Sequence, residues 1–506
     1  MAITTRTPPR RKHSLCVFAL LLVSAAATAQ GPRETKAPAD AKAIIDAATR
    51  AIGAAPLNSI EYSGTGSVYS IGQAAGPGKP WPRFRMTQYK TAIRYDAPLG
   101  IAAQGPVMRE ELTRVDDEDP PRGGGAGPFV AATGQGGIRP IPFGPQTQGR
   151  QLTGRTSVGF VQITLMTPQG FLKAAALSNA TTSSVTRGGR KIQAVSFTHG
   201  PHTITGDIDS RNRVERVESR LDNPVLGDML VETIFSDYRT FDGVTFPGRI
   251  VQRQGGYPTL DLTVASVRAG AADALEVRDA GPAAGPVKVE AERIADGVWF
   301  LNGGAPVSVL VEFADHLVIV EAPGNDARTD AALAEAKRTV PGKPIRYLVN
   351  THGHFDHSGG LRGFVAEGIT IVTHQLNKPY FEQILAFPHT INPDRLARAP
   401  RAPVIEGVAD TRVLSDATRT LALYHVRGNL HNETLLMAYL PKEKLLMQAD
   451  AFAARPPGAR PLPPGSPFTV NLWENIQRLK LDVDKIVHLH GGIDSMDALA
   501  KAAGKS

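Results

Sequence analysis

Three imidazoles and a carboxylate crowd into one short stretch, His352-Gly-His354-Phe-Asp356-His357, directly after the apolar run 345–350. Imidazole and carboxylate are ligands of zinc and its borderline neighbours, and a tight loop after a rigid strand can aim several of them at one point. In such a loop the first two histidines can meet one metal while Asp356 and His357 meet a second. Nine of the thirteen histidines fall between His352 and His490. The glycines at 353, 359 and 360 are expected to let the backbone turn this tightly.

The elements that must position this loop read as alternating strand and helix. Strands are predicted at 307–313, 317–321 and 345–350, with a helix at 327–338 between the second and third. Helix, strand and helix follow at 360–366, 369–373 and 375–386. Further strands fall at 420–425, 434–440 and 444–449, then a Pro-rich loop at 456–467, a helix at 472–480 and a last strand at 485–489. Two half-sheets sandwiched between helices, an αββα arrangement within an α/β class, satisfy this order over 290–506.

The motif Thr351-His-Gly-His-Phe-Asp-His-Ser-Gly-Gly360 resembles the signature of the metallo-β-lactamase superfamily. Supporting segments follow in the family's order: Gly428-Asn-Leu-His431, Leu446-Met-Gln-Ala-Asp450 and Val487-His-Leu-His490-Gly-Gly. The resemblance spans about 294–492. It implies that His352, His354 and His431 hold one metal, that Asp356, His357 and His490 hold a second, and that Asp450 bridges them. Two Zn2+ are the implied cofactors, with Fe or Mn as alternatives. His425 competes with His431, which follows the Gly-containing turn the motif requires. His488 competes with His490 on the same strand, and the Gly-Gly after His490 favours the latter. Asp450 as an ordinary strand-end carboxylate is the remaining alternative.

Paired divalent ions lower the pKa of a shared water and polarise a carbonyl or phosphoryl oxygen, so a hydrolase of an ester, lactone, amide or thioester is expected, with Asp356 as the catalytic carboxylate. Relatives that do di-iron redox chemistry carry Glu where this chain has His354. The β-lactamases of the related type carry Cys at the position of Asp450 and Lys at that of Ala453, which argues against β-lactam hydrolysis here unless Arg455 substitutes. Glu321, in Val320-Glu-Ala-Pro-Gly324, stands near the position of an Asp in most relatives. With sixteen residues after His490, the helical substrate domain of glyoxalase II-like thioesterases is not expected. Specificity is therefore expected from 377–403 and 456–467.

Upstream, 1–29 reads as a signal peptide: Arg10-Arg-Lys12, an apolar run at 15–27 and small residues before a cut near Ala29. A periplasmic or secreted protein follows. The sole cysteine, Cys16, lies inside this signal, leaving no disulfide or thiolate ligand. The net charge of +8 falls to +4 once the four basic residues of the signal are removed, and no basic run is interleaved with aromatics, so nucleic acid is not an expected partner. The expected partner is a small-molecule substrate. From 39 to 270 the pattern is one amphipathic helix at 39–53 and short antiparallel strands, interrupted by a Gly/Pro-rich loop at 120–149. The stretch 235–247 resembles the half-barrel of periplasmic lipoprotein carriers. A carrier that holds an apolar ligand in this β-rich part, with an accessory metal domain, is the competing function. His199 and His202 are expected on a surface turn, and 271–286 reads as a linker.

Overall fold

The computed structural model describes residues 35–36, 38–98, 104–115, 119, 139–142, 147–153, 165–273, 275, 285–452 and 465–505. The expected signal peptide with Cys16, most of 120–149 and of the linker, Ala453, Arg455 and most of the Pro-rich loop lie outside them.

The N-terminal part is built on a 13-stranded sheet in which every neighbouring pair runs antiparallel. The helix Pro38–Ile52 buries Ala41, Ile45, Ala48 and Ile52, one stripe at helical spacing, in a core shared with Tyr62, Phe171, Phe197 and Phe246. Two strands, Arg139–Pro142 and Thr147–Thr153, fall partly within the segment expected to be all loop. His202 corrects the expectation of a surface turn: His199 is exposed, but His202 opens the strand His202–Ile208, is buried, and its Nδ1 lies 2.8 Å from the Arg220 carbonyl oxygen. The Gly-Pro between them does form the turn, and hairpin pairing carries the second histidine inward.

The feature of this sheet that reaches the site is the hairpin of Ser59–Tyr69 and Arg83–Pro98, whose connection, 70–82, leaves the sheet.

The C-terminal part has the αββα layering. A seven-stranded sheet runs from Glu290–Ala295 to Ile405–Val408, and a six-stranded sheet from Thr411–Ser415 to Ile493–Ser495. Within Leu317–Val320, Val318 and Val320 face the core between the sheets, while Leu317 and Ile319 face the outer core with Ala332, Leu333 and Phe364. This strand is buried on both faces, which is why it reads as an unbroken apolar run. On the far side, Leu472 and Ile476 of the helix Pro467–Leu479 and Leu499 of Met496–Ala502 close the second layer. Lys485–His488, expected to be the last strand, is followed by Ile493–Ser495, which pairs back on it, and by the short helix.

Candidate metal centre

Three strands deliver the site residues from their C-terminal ends. Ile345–Val349 leads to His352, Leu445–Gln448 to Asp450 and Lys485–His488 to His490; the last two strands are parallel neighbours and so open at the same edge. The Leu436 N–H donates to the Thr351 carbonyl oxygen at 2.9 Å and ties the two sheets together there. His431 follows a left-handed Gly428, and its own N–H donates to Asn429 Oδ1.

All seven sequence-predicted residues converge. Ligand atoms of His352, His354 and His431 lie within 4.8 Å of one another, as do those of Asp356, His357 and His490. Asp450 stands between the groups: its Oδ2 is 2.8 Å from His357 Nε2 and 3.5 Å from the Nε2 atoms of His352 and His431, and its Oδ1 is 3.0 Å from His490 Nε2. His352 Nε2 is a buried polar atom with no hydrogen bond. Burying such atoms is costly unless something else binds them, so this donor set fits a pair of cations.

The rings are oriented from behind. Glu321, fully buried, accepts from Thr351 Oγ1 at 2.5 Å, Asn350 Nδ2 at 3.0 Å and His357 Nδ1 at 2.9 Å. With the Thr351 hydroxyl proton given to Glu321, its oxygen accepts from His352 Nδ1 at 3.0 Å. Both rings therefore carry a proton on Nδ1 and turn Nε2 to the cluster. His354 is reversed, its Nε2 donating to the Ala74 carbonyl at 2.8 Å, so Nδ1 carries the lone pair. Fixing the tautomer through the far nitrogen is the usual way a protein prepares imidazole as a ligand. Glu321 and Asp450 adopt φ of 82° and 59°, unusual for residues with a side chain and costing roughly 1–3 kcal/mol each. Both strained positions belong to this network.

Electrostatics follow the geometry. Burial lowers the His352 pKa well below the ordinary imidazole value, and the adjacent His354 and His357 push the same way. Burial acts likewise on His357, but Asp356, Asp450 and Glu321 outweigh it and hold its pKa well above that value. Asp450 is held far below the usual carboxylate range because His431 and His357 overcome its desolvation.

Of the competing histidines, His425 packs against His374 with ring centroids 4.4 Å apart and its Nε2 lies 2.9 Å from the Glu433 carbonyl oxygen, outside the cluster. His488 faces Asp494 and the Phe452 carbonyl instead. The two do not share a strand as expected, because the strand ends at His488. The loop glycines also act differently from expectation. Gly359 and Gly360 have φ of −62° and −89°, and what they permit is close approach: a Cβ on Gly359 would sit 1.9 Å from the Gly324 carbonyl oxygen, and one on Gly360 2.5 Å from Thr329 Oγ1.

Sequence reasoning missed the segment 70–82. It crosses from the N-terminal sheet to the cluster, where Gln73 Nε2 donates to Asp356 Oδ1 at 2.8 Å and Asn432 Nδ2 donates to the Ala74 carbonyl at 3.0 Å. Part of the segment 377–403 lines a cavity of about 610 Å³ bounded by Arg362, Phe387, His389 and Arg401, none of which is among the seven.

Residues 301–490 match the sequence profile of the Metallo-beta-lactamase superfamily, and this part of the chain is a domain of that superfamily, whose members are typically metal-dependent hydrolases. Among solved structures the chain is similar to a metallo-beta-lactamase from Pontibacter korlensis, at 18% identity, covering 43% of this chain and 98% of that one with a TM-score of 0.32. It is also similar to one from Hirschia baltica, at 20% identity, 43% and 97% coverage and a TM-score of 0.33. No curated protein matches the chain.

Proposed function

We propose that the chain is an exported hydrolase using two zinc ions to cleave an ester, lactone, amide or thioester bond of a small molecule. The observation that carries this reading is the convergence of six histidine and aspartate ligands in two groups around Asp450, with ring nitrogens already turned inward. His352, His354 and His431 would hold one ion, Asp356, His357 and His490 the other, and Asp450 both. When bound, the ions would supply Lewis acidity toward the substrate oxygen and lower the pKa of water. The chain's own part is to orient the imidazoles through Glu321, Thr351 and Ala74, and to offer Asp356 as a carboxylate that can accept a proton. Export rests on the signal-like sequence at 1–29. Asp450, in place of a thiolate, favours ester-like substrates over β-lactams.

Metal analysis of the purified protein, with a panel of chromogenic esters, lactones, thioesters and a cephalosporin, tests the reading. Two ions per chain and turnover on an ester-like member are expected. One ion or none in folded, metal-replete protein would overturn it.

A further inference from the structure

We propose that the segment 70–82 of the N-terminal sheet is a wall of the metal centre and that Gln73 is a positioning residue for Asp356. The inference rests on the two-metal reading above and assigns to the N-terminal half a part in the site.

The contacts are continuous along the segment. Gly72 accepts from the Phe355 N–H at 3.2 Å through its carbonyl, Gln73 reaches Asp356, Ala74 receives both His354 and Asn432, and the Ala75 carbonyl receives the Glu433 N–H at 2.9 Å. Lys79 pairs with Glu433. Trp81, buried, stacks on Tyr257 at 4.8 Å and meets the edge of Phe355 at 5.9 Å. The approach is close enough to demand glycine: Gly72 has φ of 73°, and a Cβ there would lie 2.2 Å from the Phe355 ring.

The Gln73 contact divides the work of the Asp356 carboxylate. Gln73 is 2% exposed, and its amide fixes Oδ1. Oδ2 is left facing the second group, 3.5 Å from His357 Nε2 and 3.8 Å from His490 Nε2. A carboxylate held by one oxygen presents the other in a single orientation, so less order must be imposed when a cation binds. A glutamine suits this task because its amide donates without adding charge.

The test is stepwise metal titration of the full chain, with Co2+ as a spectroscopic probe and chelator competition for affinity. Gln73→Met keeps length and removes the donor; Gln73→Glu keeps shape and replaces the donor with a like charge. Second-site affinity is expected to fall about 10-fold in Gln73→Met and further in Gln73→Glu, within the range for groups that orient ligands, with the first site changed less than about 3-fold. Gly72→Ala, which pushes the segment off Phe355, is expected to weaken the second site without touching Gln73. Wild-type protein that binds two ions, with both sites unchanged in folded Gln73→Met and Gly72→Ala, would overturn this inference and leave the hydrolase reading standing. Wild-type protein that binds fewer than two would overturn both. Equal weakening of both sites would mean that the segment supports the loop generally, and would refute the specific role for Gln73.

Discussion

A buried carboxylate is costly unless nearly every lone pair has a donor, and Glu321 meets that condition with groups that themselves orient the metal-facing rings. Glu321→Gln sets an amide N–H against the Thr351 hydroxyl or His357 Nδ1–H. The cheapest escape is a flip of the His357 tautomer, which places a proton where the second ion needs a lone pair. A loss of about 10–100-fold in second-site affinity is expected, read by chelator competition; unchanged binding of both ions would refute the tautomer argument. Asp356→Asn probes a different property, since it keeps size and an oxygen ligand while removing the proton acceptor. Turnover should fall by roughly 10²–10⁴ while the group of His352, His354 and His431 still takes up metal. Near-normal kcat with both ions bound would discard the proposed role of Asp356.

At the scale of elements, the passage of the loop 351–360 against 322–324 leaves no volume to spare. Gly359→Ala is expected to cost about 1–3 kcal/mol, because the obstructing atoms are backbone. Gly353→Ala, whose nearest neighbour would be 3.6 Å away, should be nearly neutral. Denaturant midpoints at fixed metal content would distinguish them, and equal costs would contradict the packing account. The strands Thr370–His374 and Thr420–His425 end in His374 and His425, whose rings pack against each other. Burial and, second, the neighbouring His425 push the His374 pKa down to about 4 from its ordinary 6.5. The unfolded chain takes up this proton near 6.5 and the folded chain only near 4, so stability present above 6.5 is lost as pH falls toward 4. His374→Asn should flatten the pH dependence of unfolding in that window; an unchanged slope would count against it. The strands around the centre were legible because burial on both faces makes them continuous apolar runs, as in Leu317–Val320, and the six-residue motif named its own chemistry. Thr181–Arg187, with a sequence as polar as TTSSVTR, carried no such signal. Nor did Gln73 and Ala74: an amide and a main-chain carbonyl have no distinguishing residue type, and they reach Asp356 and His354 across 283 and 280 positions of chain.

For the whole molecule, the halves also meet away from the centre. Asp228 accepts from the N–H groups of Thr390 and Ile391 at 2.9 and 3.1 Å, and its own N–H donates to the Pro388 carbonyl at 2.7 Å. Limited proteolysis is therefore expected to cut within 271–286 or 120–149, and the fragments should remain together through a sizing column. Cleavage confined to 290–505, or fragments that separate while metal is bound, would contradict this organisation. The reach of 70–82 has one more consequence, which belongs to thermodynamic linkage. If seating that segment tightens a cation's hold by some factor, then occupancy by the cation must favour the seated arrangement by the same factor. A tenfold effect corresponds to about 1.4 kcal/mol in either direction. Supply of metal would then set how firmly the two halves of the protein are closed on each other.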